Sequence, residues 1–130
     1  MADLDHFKAV NDEYGHPAGD VVLREVAHLM KNVVRATDVA SRYGGEEMEL
    51  ILTQNDSAGA MNVAERWRSS VESARIQIAD GRILCVTLSI GVAEYCEAFD
   101  SPDDLEAAAD VALYAAKEGG RNRIVLCGEE

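Results

Sequence analysis

Two adjacent carboxylates, Glu46 and Glu47, directly follow a pair of glycines, Gly44 and Gly45. Apolar residues recur on both sides of this segment, so residues 38–54 are predicted to form a β-hairpin with an acidic tip. The glycines can adopt positive φ at no steric cost, and they leave the backbone open to a ligand. Two carboxylates held at one turn repel each other. The arrangement becomes favourable mainly when a divalent cation lies between them and a phosphate.

A second pair of acids, Asp3 and Asp5, lies near the start of the chain. Residues 1–7 alternate like a strand, and acids two apart on a strand point to the same face. Solvated surface is a common explanation for such a pair, and it stays open at this point. Beside the acidic hairpin tip, Asp3 would instead help to form the oxygen-rich, partly open site that magnesium prefers when phosphates complete its shell.

Basic residues are sparse, so their positions are informative. Lys8 follows the acidic strand, and Lys117 and Arg121 lie four apart near the C-terminal end of the last predicted helix. A favourable interaction with the helix dipole explains that spacing as well as anion binding does. The spacing alone leaves both interpretations open.

Three helices are predicted to position these groups. Apolar residues at three- and four-residue spacing indicate a long amphipathic helix from Val22 to Val33. A second helix starts at the N-cap residues 55–57 and carries Trp67 as a core anchor. A third begins at Ser101, has proline in its first turn, and stops at residues 119–120, which are both glycine.

The remaining segments predict a loop and two further strands. Two glycines and a proline mark residues 11–20 as a loop. The β-rich run 82–93 has no charge after Arg82 and suits a central strand, and residues 123–127 form a short closing strand. Helices that alternate with strands around an antiparallel hairpin indicate an α/β fold, or α+β sandwich, built on one sheet.

Composition narrows the classes of partner. The 130 residues suffice for one domain, and 12 basic against 24 acidic residues give a formal charge of −12. That balance argues against binding to nucleic acid or direct contact with an anionic membrane. No apolar run is long enough to span a bilayer and no signal pattern is present, so a cytoplasmic location is expected by default. Three widely spaced cysteines indicate neither a disulfide framework nor a zinc site.

Three runs of sequence resemble those of one known family. Residues 3–20 resemble its DxDxFKxxNDxxGHxxGD run, residues 42–48 its RYGG(D/E)EF signature, and residues 109–122 its ADxALYxAKxxGRN run. In these runs the chain resembles the GGDEF domain, the catalytic domain of diguanylate cyclases, which join two GTP molecules into cyclic di-GMP. The resemblance covers nearly the whole chain. It implies a single domain with a mostly antiparallel central sheet flanked by helices, like a nucleotide cyclase or polymerase palm.

The resemblance also assigns roles to individual residues. It implies that Mg²⁺, or Mn²⁺ in its place, is bound by the Asp3 carboxylate, the Leu4 main-chain carbonyl and Glu46. Glu47 matches the next signature position, with a less direct catalytic role. GTP would be bound by two kinds of contact: guanine by an amide and a carboxylate, and the triphosphate by basic side chains and the open glycine turn. The residues concerned are Asn11 and Asp20 for guanine, and Lys8, Lys117, Arg121, Gly44 and Gly45 for the triphosphate.

A product-binding site is implied just before the signature. Arg35 and Asp38 match the family's inhibitory RxxD motif, which binds cyclic di-GMP, and Arg66 on the next helix is an additional ligand, with Arg68 as a substitute. An arginine can hold phosphate or a guanine edge bidentately, and an aspartate can accept from guanine N1 and N2. As bare sequence, Arg-x-x-Asp also fits a salt bridge on a helix surface.

The resemblance also implies binding partners, and the chain differs from the family pattern in two respects. Each domain would hold one GTP, so catalysis needs a homodimer, and an N-terminal sensory or receiver domain is expected in a larger, even membrane-attached, protein. Met48 replaces the usual phenylalanine of the signature, and the family's leading helix and most of its first strand have no counterpart in residues 1–130. The rival hypothesis is a GGDEF domain that no longer turns over GTP and serves as a receptor for cyclic di-GMP.

Overall fold

The computed structural model describes residues 1–129, which form a five-stranded central sheet, a small two-stranded sheet and four helices. The strands are β1 (Ala2–Leu4), β2 (Val39–Gly44), β3 (Glu47–Ile51), β4 (Ile76–Gln77), β5 (Ile83–Leu84), β6 (Leu88–Val92) and β7 (Ile124–Leu126). The central sheet has the order β2-β3-β1-β6-β7, and only the β6–β7 pair is parallel. The mixed α/β fold with a mostly antiparallel sheet is confirmed.

The helices are α1 (Phe7–Tyr14), α2 (His16–Lys31), α3 (Ser57–Ser73) and α4 (Pro102–Glu118). The predicted N-cap of α3 is confirmed, since the Asp56 side chain accepts a hydrogen bond of 2.8 Å from the main-chain N–H of Gly59. The prediction of a core anchor is also confirmed. Trp67 is 1% exposed, and its indole Nε1 donates to the main-chain oxygen of Val26 at 3.1 Å.

The predicted loop at residues 11–20 is wrong. Residues 7–14 form α1, because Phe7, Val10 and Tyr14 recur at helical spacing and pack against the core cluster. Gly15, with φ of 90°, separates the two helices, and Pro17 lies in the first turn of α2, where a missing N–H costs nothing. The glycine and proline therefore mark a sharp break between helices instead of a loop.

The single strand predicted at 82–93 is also wrong in part. The chain first closes the small β4–β5 hairpin, in which the N–H of Ile78 donates to the carbonyl of Arg82 at 3.0 Å. It enters the central sheet only at Leu88. Because the hairpin satisfies its own main-chain groups, the apolar run is divided between two sheets.

Helices cover both faces of the central sheet. Ala2 and Leu4 of β1 belong to the core cluster that also includes buried residues of α2 and α3. Asp3 points the other way, toward α4, because side chains alternate along a strand. Met48 is 5% exposed and belongs to the same core as Ala2, so the thioether takes a buried apolar position.

Gly91 permits the close approach of β6 to α4. A Cβ built at this position would lie 2.2 Å from both the carbonyl oxygen of Ala109 and the main-chain nitrogen of Leu113. Gly91→Ala is therefore expected to lower the free energy of unfolding by about 2–3 kcal/mol, because backbone must shift to accept the methyl group. Urea unfolding measures the change. Gly44→Ala is the matched control, since its Cβ would meet nothing within 4 Å; equal effects of the two variants would contradict the expectation.

β1 is central although it has three residues, and it pairs with β3 on one side and β6 on the other. That the family's leading helix and most of its first strand have no counterpart in residues 1–130 stays a prediction. Within residues 1–129, no helix is long and apolar enough to cross a membrane.

Candidate active site

Asp3 lies in the middle of the sheet and forms an ion pair across to α4. Its side chain is 6% exposed, and the Nζ of Lys117 donates to its Oδ2. Burial raises the pKa of Asp3, and this effect outweighs the opposing influence of the Lys117 charge. A buried carboxylate whose charged form is disfavoured is a ready ligand for a cation.

The acidic hairpin tip lies directly beside Asp3. Glu47 is its register partner on β3, and the main-chain oxygen of Glu46 accepts a hydrogen bond of 3.4 Å from the N–H of Leu4. Burial raises the pKa of Glu47, and the charge of Asp3 adds to that shift. Glu46 in turn contributes to the raised pKa of Asp3. The structure therefore brings the predicted acids together, with Lys117 beside them.

These groups have the chemistry that a magnesium ion requires. Carboxylate and carbonyl oxygens are hard donors. Burial first, and neighbouring carboxylates second, raise the pKa of Asp3 and of Glu47, and a divalent cation would offset both effects. Among residues 1–129 there is no cluster of three or more His, Cys, Asp or Glu side chains suited to a metal ion. The predicted set of two carboxylates, Asp3 and Glu46, with the Leu4 carbonyl would leave positions for phosphate and water.

The glycine turn is open. Gly45 has φ of 52°, and a Cβ at Gly44 or Gly45 would meet nothing within 4 Å. The turn is braced from one side, because Arg42 Nε donates to the carbonyl oxygen of Gly45 at 2.7 Å. A ligand can approach this backbone closely. The role of the turn in binding a triphosphate stays a prediction.

The packing of α1 on α2 places Asn11 against Gly19, the residue before Asp20. The Oδ1 of Asn11 is buried and has no hydrogen-bond partner among the described residues. It lies against Gly19, where a Cβ would approach it to 1.9 Å. Asp20, the next residue, is exposed. A buried side-chain oxygen without a partner is rare in proteins, and this one could accept a hydrogen bond from a ligand N–H group.

Lys8 and Arg121 are exposed and form no ion pair within residues 1–129. Lys8 is on α1, two residues after the His6 N-cap, and Arg121 is in the turn that follows α4. The ion pair to Asp3 therefore occupies only Lys117 of the three predicted phosphate ligands.

Arg35 and Asp38 form a braced turn at the base of the hairpin. Asp38 Oδ2 accepts from the N–H of Arg35 at 2.8 Å and its Oδ1 accepts from the N–H of Thr53 at 3.1 Å. These main-chain donors, the Arg35 N–H first, lower the pKa of Asp38. The guanidinium of Arg35 donates to the Thr53 carbonyl oxygen at 3.1 Å. A salt bridge on a helix surface is therefore the wrong interpretation, since neither residue is helical.

Arg66 and Arg68 have different environments on α3. Arg66 is exposed and borders a shallow groove of about 480 Å³ with Asn32 and Val33, close in sequence to Arg35. The Arg68 side chain is 13% exposed and is held by Glu65, with Nε to Oε2 at 2.8 Å and Nη2 to Oε1 at 2.6 Å. Those hydrogen bonds raise the pKa of Arg68. Arg66 is thus the more accessible of the two.

Sequence reasoning missed a network around Asp5. Asp5 is 5% exposed and accepts hydrogen bonds from Thr87 Oγ1 at 2.7 Å, Ser89 Oγ at 2.6 Å and the N–H of Asn122 at 3.0 Å. Asp5 and Asn122 both lie in the runs that carry the family resemblance, and that was the signal available. A larger groove of about 550 Å³ between β3, β6 and the helices α3 and α4 includes none of the predicted site residues.

Solved structures with the same fold define the class of protein. The GGDEF domain of DgcB from Caulobacter crescentus, solved in complex with c-di-GMP, aligns with a TM-score of 0.93 and 36% identity, over 98% of this chain and 75% of that chain. The active GGEEF domain of a diguanylate cyclase from Vibrio cholerae aligns with a TM-score of 0.89 and 31% identity, over 97% of this chain and 79% of that chain.

The sequence comparisons lead to the same class. The family model described as "Diguanylate cyclase, GGDEF domain" matches residues 1–123. Diguanylate cyclase A of Treponema denticola is 48% identical over 126 residues, which are 97% of this chain and 34% of that protein. The chain belongs to the diguanylate cyclase GGDEF-domain family. It spans about a third of the length of the curated relatives it matches.

Proposed function

We propose that this chain is the catalytic domain of a diguanylate cyclase, which condenses two GTP molecules into cyclic di-GMP and two pyrophosphates. The observation that carries the proposal is the convergence of Asp3, Glu46 and Lys117 beside an open glycine turn. Incubation with GTP and Mg²⁺, followed by separation of the nucleotides, tests it. Cyclic di-GMP is the expected product, and intact GTP would argue against the enzyme.

The acids and cations divide the chemistry between them. Asp3, Glu46 and the Leu4 carbonyl would hold Mg²⁺, which supplies neutralisation of charge on the triphosphate. The 3′-hydroxyl of one GTP attacks the α-phosphate of the other, a P–O bond forms, and pyrophosphate leaves. Glu46 accepts the proton of that hydroxyl. In the second step, the 3′-hydroxyl of the other GTP attacks the α-phosphate of the first, a second pyrophosphate leaves, and the ring closes.

Lys117, Lys8 and Arg121 bind the triphosphate in this proposal. The Asp3–Lys117 ion pair supports the idea that Lys117 compensates charge at the site when no cation does so. A cation held at Asp3 would take over that charge compensation, and the Lys117 ammonium would then be available to a phosphate oxygen. Glu47, the register partner of Asp3, adds negative charge that strengthens cation binding.

Guanine recognition depends on Asn11 and Asp20. An amide and a carboxylate suit guanine, which offers an acceptor O6 beside N1–H and N2–H donors. Asn11→Ala is expected to weaken GTP binding by about tenfold, because the base loses a buried polar partner. ATP, which lacks the matching groups, should bind equally weakly to both proteins. Calorimetry with the two nucleotides measures this, and Asn62→Ala on the exposed face of α3 is the matched control.

If Asn11→Ala binds GTP as tightly as the unaltered chain does, the base site lies elsewhere. If both nucleotides are lost together, the substitution has acted on the fold of α1. The unfolding midpoint of the variant separates that outcome from a specific loss.

A product site at Arg35, Asp38 and Arg66 is the second part of the proposal. Asp38 fixes the turn through two main-chain hydrogen bonds, which holds Arg35 at the base of the hairpin. Arg66 borders a groove together with Asn32 and Val33, which come shortly before Arg35 in the sequence. The pair of arginines suits a dianionic dinucleotide. The same observation supports the receptor alternative, in which cyclic di-GMP binds but GTP is not turned over.

Homodimerisation follows from the stoichiometry of the proposed reaction. One domain offers one set of guanine and triphosphate ligands, and the product joins two nucleotides. Two domains would face each other with their GTP molecules between them. A cytoplasmic domain attached to an N-terminal sensory or receiver domain is the proposed setting, since signals would then control how two domains meet.

A further inference from the structure

The turn that follows α4 has an unusual backbone. Arg121 has φ of 64° and Asn122 has φ of 48°, so two consecutive residues with side chains adopt the left-handed conformation. Such residues are uncommon, and they persist only where the surrounding contacts determine the backbone. The contacts that hold this turn therefore also fix the Arg121 backbone, from which the side chain extends.

Asp5 holds the main chain of the turn. Its Oδ2 accepts from the N–H of Asn122 at 3.0 Å, and its oxygens also accept from Thr87 and Ser89. The carboxylate is buried and bound on both oxygens, so its position is fixed. It lies two residues after Asp3, at the same end of the sheet.

Arg68 holds the side chain of the turn. Its Nη1 donates to Asn122 Oδ1 at 2.8 Å, and Asn122 Nδ2 in turn donates to Glu72. Arg68 is itself fixed by Glu65 and by Glu72, whose Oε2 is 3.3 Å from Nη1. A planar guanidinium with several fixed partners loses little entropy for each further hydrogen bond.

We propose that Arg68, Asn122 and Asp5 form a clamp that positions Arg121 to bind a phosphate of the nucleotide. The clamp connects α3, on one face of the sheet, to the turn after α4, on the other face. Arg121 is exposed and unpaired among the described residues, so it is available to an anion. The three clamp residues act through Arg121 and are positioning residues. The inference rests on the proposed function, since it refines how the same site holds GTP.

Hydrogen exchange tests the clamp without any ligand. Arg68→Met is expected to speed exchange of the Asn122 amide by at least about tenfold, because the turn opens locally, while amides in the core of α3 keep their rates. Arg24→Met, at an exposed position on α2, is the matched control and should change neither. An unchanged rate at Asn122 in Arg68→Met would overturn the clamp.

Nucleotide binding tests the consequence for Arg121. The probe is guanosine 5′-(α,β-methylene)triphosphate, from which pyrophosphate cannot leave, compared with guanosine. Arg68→Met should raise the Kd of the triphosphate by about tenfold and leave that of guanosine unchanged. In an Arg121→Met background the same substitution should change the Kd by less than about twofold, because its effect passes through Arg121. Additive losses, or equal losses for guanosine, would overturn the positioning role.

The two experiments separate this inference from the proposed function. If the unaltered chain binds no triphosphate, the proposed function fails, and exchange at Asn122 still decides whether the clamp exists. If the triphosphate binds and Arg68→Met leaves both exchange and affinity unchanged, the clamp fails and the proposed function stands.

Discussion

Glu46→Gln is expected to lower the rate of cyclic di-GMP formation by at least about a hundredfold, because it removes both a cation ligand and the acceptor of the hydroxyl proton. The side chain keeps its size, and Glu46 lies in a turn where its main-chain oxygen, not its carboxylate, bonds to Leu4. The fold should therefore be unaffected. Initial rates at saturating GTP and Mg²⁺ measure the loss.

Glu97→Gln is the matched control, since it removes the same charge from an exposed position outside the site. Its rate should equal that of the unaltered chain. Activity of Glu46→Gln within a few fold of the control would contradict the role of Glu46, and a lowered unfolding midpoint would assign the loss to folding.

Arg35→Ala is expected to weaken binding of cyclic di-GMP by at least about tenfold, because a bidentate charged contact is lost. In the structure one guanidinium nitrogen donates to Thr53, and an arginine has further N–H donors for a ligand. Calorimetry with cyclic di-GMP measures the change, and Arg75→Ala at an exposed position is the control. Unchanged affinity in both Arg35→Ala and Asp38→Ala would contradict the assignment.

Arg35→Ala also separates the two hypotheses on function. In an active cyclase it should raise the yield of product, because inhibition by accumulated cyclic di-GMP is relieved. If the chain is instead a receptor, Arg35→Ala removes the binding of cyclic di-GMP, and neither the variant nor the unaltered chain forms product.

Short-range sequence patterns predicted the parts of the fold that depend on residues close together in the chain. The acidic hairpin, the N-cap Asp56 and the buried Trp67 were predictable because turn chemistry and helical spacing act over a few residues. Helix α1 was missed because its polar residues Asn11, Asp12 and Glu13 concealed the spacing of Phe7, Val10 and Tyr14. Packing on α2, which no local pattern shows, stabilises it.

In the candidate site, too, residue types could be predicted from the sequence, but the contacts between them could not. Glu46 and Asp3 were predictable as acids, but their proximity comes from the register of β1 with β3, over more than 40 residues of chain. The network of Asp5 with Asn122 spans a separation of 117 residues. The hydrogen bond that holds Arg68 to Asn122 likewise joins α3 to the turn after α4, across a separation of 54 residues. Contacts between residues so far apart in the sequence depend on tertiary packing, and the local spacing of residue types does not predict them.

The most direct test of the central claim, that two domains each supply a Glu46 to one product, is a mixing experiment. Unaltered chain and Glu46→Gln are mixed in equal amounts, at a total concentration where the rate per protomer has stopped rising. If both acids of a pair are needed, formation of cyclic di-GMP should fall to about a quarter, since only pairs of unaltered chains are competent. A rate of one half, as from simple dilution, or an absence of product from the unaltered chain would contradict the account.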